Sequence, residues 1–137
     1  MADHNIADML MEFYDKMASW EGEVVRGTEL SPAQMHAIEI IGGDKAMKMR
    51  ELAARLGITT GTLTVTIDKL EKKGLVARVA HESDRRSWLI VLTDEGRERF
   101  LEHHKFHHKF TEEITEDLSE SETRLFAEMM AKIVARM

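Results

Sequence analysis

Gly57 and Gly74 place the tightest constraint on how this chain folds. Between them, Leu63, Ile67 and Leu70 recur at three- and four-residue spacing. That period predicts an amphipathic helix from Thr60 to about Lys73, with Thr59 opening it and Gly74 ending it. Its many threonines are weak helix formers, so the expectation rests on the shared apolar face and the flanking glycines. Ahead of Gly57, Lys48 to Leu56 predicts a shorter helix with Leu52, Ala53 and Leu56 inward. Beyond Gly74, Leu75–Val79 and Ser87–Leu92 are rich in apolar and β-branched residues. They flank the polar tip His81-Glu82-Ser83-Asp84-Arg85-Arg86, which predicts a β-hairpin.

The remainder reads as helices. Ile6, Met9, Leu10, Phe13, Met17 and Trp20 form one stripe, and Glu21 to Glu29, with Gly22 and Gly27, reads as a connection. Ser31-Pro32-Ala33-Gln34 announces a second helix: Ser31 caps, Pro32 fits the first turn and Gln34 completes a capping box. Gly42-Gly43 stop it. Thr93 caps a long fifth helix, and Ser119 with Glu122 caps a sixth, whose apolar face is Leu125, Phe126, Met129, Met130, Ile133 and Met137. Helix, glycine turn, helix and hairpin in this order make a winged helix-turn-helix. The expected fold is therefore mainly α with a small β-hairpin wing, within a single domain spanning 1–137. Residues 31–94 form the lobe; 1–30 and 95–137 form a helical dimerisation region. The apolar stripes at both ends of the chain need a cover, and a two-fold mate is the simplest one, so a homodimer is expected.

Charge is unevenly spread. The net charge is −6, yet residues 45–92 carry ten Lys or Arg (Lys45, Lys48, Arg50, Arg55, Lys69, Lys72, Lys73, Arg78, Arg85, Arg86) against five acids. A basic middle between acidic ends points to a polyanion, although solvated helix faces account for charge alone equally well. The absence of cysteine excludes disulfides, thiolate metal sites and a cysteine nucleophile. No apolar run reaches the roughly 18 residues of a membrane span and no signal-peptide pattern opens the chain, so no membrane partner and a cytoplasmic location are expected.

Double-stranded DNA fits this pattern. The front of a helix in the major groove reaches base edges. Here it offers Thr59, Thr60, Thr62, Thr64 and Thr66, whose hydroxyls suit phosphates or bases and whose methyls suit thymine. Gly61 among them lets the backbone approach. Lys48 and Lys69 suit phosphates. At the hairpin tip, Arg85 and Arg86 suit a narrow minor groove, with Asp84 holding an arginine rotamer through a charge-assisted bond. A solvated threonine face and an exposed turn with incidental ion pairs are the plainer readings of the same residues. A helical protein-interaction module is the rival from another class, and it would lack the steep salt dependence of counterion release. No Gly-rich phosphate loop and no paired general base occur, so an enzyme, including a metal-dependent hydrolase built on histidines, is not expected.

The chain resembles the MarR-type winged-helix transcriptional regulators. The likeness lies in Glu51-Leu52-Ala53-Ala54-Arg55-Leu56-Gly57, in Thr64-Val65-Thr66-Ile67-Asp68-Lys69-Leu70-Glu71-Lys72-Lys73-Gly74-Leu75-Val76, in Ser83-Asp84-Arg85-Arg86 and in Leu92-Thr93-Asp94-Glu95-Gly96. It implies a homodimer held by the first, fifth and sixth helices. It matches Asp84 and Arg86 to the family's wing-tip pair, and Thr59 to Thr66 to the front of the recognition helix. Lys48 departs from the pattern, standing where relatives often place a Ser or Thr cap. The implied function is a dimeric sequence-specific regulator, acting as a repressor on a pseudo-palindromic operator with half-sites about one turn (~34 Å) apart.

Glu102-His103-His104-Lys105-Phe106-His107-His108 holds four of the seven histidines. His103 and His107 continue the apolar spacing of Phe100, Phe110 and Ile114, whereas His104 and His108 lie about 100° further round, toward solvent. His36 is expected to point to the same interior. His36, His103 and His107 are thus the candidate effector-binding residues, and three readings of them stand. They bind zinc, with Glu102, Glu21 or Glu23 as a further ligand, and link metal to DNA affinity, which resembles the zinc-responsive branch of the family; no other cofactor is indicated. Alternatively, with Met35 and the second helix, they border a cleft between dimerisation helices and lobe that takes a long acyl effector. That follows from a likeness to the branch that represses fatty-acid synthesis. The third reading is packed, hydrogen-bonded histidines with another small ligand or none.

Overall fold

The structure, a computed structural model, describes residues 5–43, 46–81, 83 and 86–137. The order is α1 (Ile6–Val25), α2 (Pro32–Gly43), β1 (Met47–Lys48), α3 (Met49–Leu56), α4 (Thr60–Lys72), β2 (Val76–Ala80), β3 (Trp88–Leu92), α5 (Asp94–Ile114) and α6 (Glu120–Arg136). Mainly α with a small sheet, this is the expected winged-helix class.

Two boundaries differ from the sequence reading. First, α1 runs through Gly22 to Val25, where a connection from Glu21 was expected. Glycine in a helix costs roughly 1 kcal/mol, but continuing the helix buries Val25, which outweighs it. The Arg26 N–H then closes the last turn on the Gly22 carbonyl at 3.0 Å. Second, the hairpin gains a third, two-residue strand. The antiparallel order is β1-β3-β2, with Met47 opposite Ile90 and Val76 opposite Leu92. Two residues are too short to show a strand period; Met47 is recruited because its side chain is buried in the core.

Helix starts follow the capping logic. The Ser31 hydroxyl accepts from the Gln34 N–H and the Gln34 carboxamide oxygen accepts from the Ser31 N–H, both at 3.2 Å. Lys48 stands at the N-cap of α3 with no side-chain cap bond, so α3 relies on packing and on Gly57, left-handed at φ 68°.

The chain divides into two compact units, residues 1–102 and 103–137. The start of α5 is fastened to the lobe. The Thr93 hydroxyl donates to the Gly74 carbonyl at 2.6 Å and accepts from the Gly96 N–H at 3.1 Å. Gly96 lies so close to Leu75 that a Cβ would strike its carbonyl, and a Cβ on Gly42 would enter the Phe100 ring. The core of this unit is fully closed at Ile38, Leu52, Leu63, Ile67, Leu70 and Ile90, each side chain stabilising by about 1.5–3 kcal/mol.

In the second unit, Thr115 to Ser119 links the end of α5 to α6. A reciprocal Ser119–Glu122 capping box starts α6, at 2.9 and 3.1 Å. No residue of α6 is buried, and Leu125, Phe126, Met129 and Ile133 are exposed.

Candidate nucleic-acid interface

α4 is built as a two-sided helix. Leu63, Ile67 and Leu70 have no exposed surface and seat it on the lobe. Thr60, Gly61, Thr62 and Thr64 are exposed, whereas Thr66 is half-buried. The Thr59 hydroxyl oxygen accepts from the Thr62 N–H at 3.2 Å, capping the helix, and its proton goes to the Thr62 hydroxyl at 3.0 Å. The Thr64 hydroxyl donates to the Thr60 carbonyl at 2.8 Å, and that of Thr66 to the Thr62 carbonyl at 3.4 Å. These donors are turned back on the helix, which leaves lone pairs and methyls to meet a ligand.

Lys69 is exposed on the same helix. Lys48 is half-buried and, with Arg50, Glu51 and Ala54, lines a surface depression of about 410 Å³. Arg86 is exposed in the turn before β3. Asp84 and Arg85 lie outside the described residues.

Two of the ten cations counted as polyanion-facing serve the fold instead. Arg78 Nη2 binds Asp68 Oδ1 at 2.7 Å and Nη1 binds Glu71 Oε1 at 3.0 Å. The bond to Asp68, with Glu71 beside it, holds the Arg78 guanidinium even more firmly protonated than usual. Lys73 donates to the Glu29 carbonyl and, at 3.2 Å, to the Gln34 carboxamide oxygen. Sequence reasoning missed both roles. The available signal was Asp68 and Glu71 three apart on one face of a helix otherwise rich in lysine.

The histidines split as their spacing requires. His103 is buried and His107 half-buried, while His104 and His108 are exposed. Within each pair the two Nε2 atoms are 3.1 Å apart. His36 corrects the expectation that it points inward: it is exposed, whereas Met35 and Ala37 on either side are buried. The apolar run of α2 turns those neighbours into the core and leaves His36 on the outer flank.

Comparison with known proteins agrees with this geometry. Residues 30–88 match the MarR family model. The Bacillus subtilis transcriptional repressor MdtR is 29% identical over 104 residues, 74% of this chain and 67% of MdtR. A second B. subtilis relative, the regulator YfiV, is 31% identical, but the match spans only 45% of its length. Streptococcus pneumoniae FabT, solved in complex with DNA, superposes with a TM-score of 0.82 at 28% identity, covering 95% of this chain and 93% of FabT. A MarR regulator from Methanosarcina mazei gives 0.81 at 20% identity over 96% of this chain and 94% of its own, a likeness of fold. The matched segment, from the start of α2 to the start of β3, is thus similar to the MarR family of winged-helix transcriptional regulators.

Proposed function

We propose that the protein is a dimeric repressor that binds a pseudo-palindromic operator through α4 and the wing. The carrying observation is α4 itself: a capped helix with one face locked into the core and an opposite face of exposed threonines, among which the Thr64 hydroxyl proton is already engaged by the Thr60 carbonyl. Thr64, a lone-pair acceptor with a methyl, suits the amino groups of adenine or cytosine and the methyl of thymine. Arg86 enters the minor groove, and Lys48, Arg50 and Lys69 meet phosphates. MdtR, named a repressor, and FabT, solved with DNA, support this reading.

The test is a selection from random duplexes followed by anisotropy titration of the winning sequence at several salt concentrations. A two-fold symmetric site with half-sites about one turn apart and a steep salt slope is expected. Arg86→Ala should weaken binding by about 1–3 kcal/mol; unchanged affinity would remove the wing from the interface. Salt-insensitive or absent binding would favour a protein-interaction module.

An effector acts by having different affinities for lobe spacings that fit and do not fit the operator. The likeness to the branch that represses fatty-acid synthesis makes a long acyl chain on acyl carrier protein the first effector to titrate into the complex. Zinc is the second reading, favoured by the 3.1 Å separation of the His103 and His107 Nε2 atoms. It requires operator affinity to change with added zinc and to stop changing in H107Q.

A further inference from the structure

We propose that His104 and His108 form a separate, solvent-facing chelate for a divalent transition-metal ion on α5, independent of the DNA-binding reading and of the inner His103–His107 pair. Both residues are exposed, four apart on one helix face, with ring centroids 4.7 Å apart and rings nearly perpendicular. Their Nε2 atoms are 3.1 Å from one another. Metal–imidazole bonds of about 2.0–2.1 Å place two nitrogens at that separation when the angle at the metal is roughly 98°. That angle lies between a square or octahedral edge and a tetrahedral one, so an incoming ion meets ligands already set for it. Each ring keeps Nδ1 as its other nitrogen and coordinates through Nε2 in its neutral form.

The donor set decides the class of ion. Two neutral imidazoles suit Cu²⁺, Ni²⁺ and Zn²⁺, with Cu²⁺ held most tightly, and give little to Mg²⁺ or Ca²⁺, which want oxygen. Among the described residues, no third His, Cys, Asp or Glu side chain gathers with this pair. The chelate is therefore open, with water or a ligand from another molecule completing the coordination. The consequence for the fold is local. An ion spanning His104 and His108 clips one turn of α5 and stabilises the folded chain in proportion to its occupancy.

The two histidine pairs are separated by variants of the full chain, titrated calorimetrically with Cu²⁺ and with Zn²⁺, circular dichroism confirming the helix content of each. Both target residues are exposed, so H104Q/H108Q is expected to fold. It should lose one bound equivalent relative to wild type, with Cu²⁺ binding tighter than Zn²⁺ and Mg²⁺ not binding. Wild-type Cu²⁺ spectra should show nitrogen hyperfine splitting that weakens in H104Q/H108Q and persists in H107Q. H108Q/K109H, which keeps the histidine count but breaks the four-residue spacing, should behave like H104Q/H108Q. Metal stoichiometry unchanged in H104Q/H108Q, or full binding by H108Q/K109H, would overturn the proposal. So would a wild-type chain that takes up no Cu²⁺ beyond what H107Q removes.

Discussion

Single residues matter most here where a side chain is missing. Gly96 lies against the Leu75 carbonyl, which itself accepts the Thr93 N–H at 3.1 Å. Backbone, unlike the end of a flexible side chain, has little room to yield. Gly96→Ala should therefore cost about 1–3 kcal/mol, read as a lower urea midpoint with an unchanged slope. Gly61 is the opposite case. A Cβ there meets only the Thr59 hydroxyl oxygen at 3.9 Å, and the position is exposed near the start of α4. Alanine should raise stability by up to about 1 kcal/mol through helix propensity. If α4 lies in the major groove, the same methyl should lower operator affinity. A variant that unfolds later yet binds less tightly separates the two roles, and equal affinity would move Gly61 out of the interface.

At the scale of the element, α4 and β2 are joined by Arg78 through Asp68 and Glu71. Both carboxylates are about half exposed, so Arg78→Met should cost stability no more than about 1 kcal/mol. If α4 reads DNA, operator affinity should fall further than stability, because the variant leaves two unbalanced carboxylates on that helix and frees the wing from it. Equal losses in the two measurements would leave Arg78 a purely structural residue. At the other end of the chain, the capping bonds from Ser119 hold the Glu122 carboxyl below the usual carboxylate range. The stabilisation this gives α6 is complete above that range and lost as pH falls through it. Ser119→Ala should cost about 1 kcal/mol, and Glu122→Gln, which removes the titrating carboxyl, should flatten the acid limb of a helix-content titration. Capping boxes, glycine stops and the buried face of α4 were legible in the sequence because each is a local pattern a few residues long. The extension of α1 through Gly22, the strand at Met47–Lys48, the outward turn of His36 and the pairing of Arg78 were not, because distant packing decides them. Counting Arg78 and Lys73 as DNA-facing overstated the basic patch for the same reason: charge tallies are blind to partners.

At the scale of the whole molecule, the apolar stripes on the outer helices set the last expectation. On α1, Ile6, Met9, Leu10 and Phe13 are exposed, and so are Leu125, Phe126, Met129 and Ile133 on α6. Apolar runs of this extent on a single chain mark an interface, and a two-fold mate would cover both stripes with the same contacts twice. A dimer holding two α4 helices one DNA turn apart binds the second half-site at the effective concentration set by the first, whereas a monomer binds each alone. Ile133→Glu places a charge in the middle of the α6 stripe, and its exposure in the single chain means the lobe has no reason to unfold. Sedimentation velocity should show the wild type as a dimer and the variant shifted toward monomer. In the variant, affinity for a full operator should drop to that for an isolated half-site, while the thermal unfolding of the lobe is retained. A wild type that sediments as a monomer at micromolar concentration would show that each lobe reads DNA on its own, and an Ile133→Glu chain that still prefers the full operator would show that the α6 stripe serves some other partner.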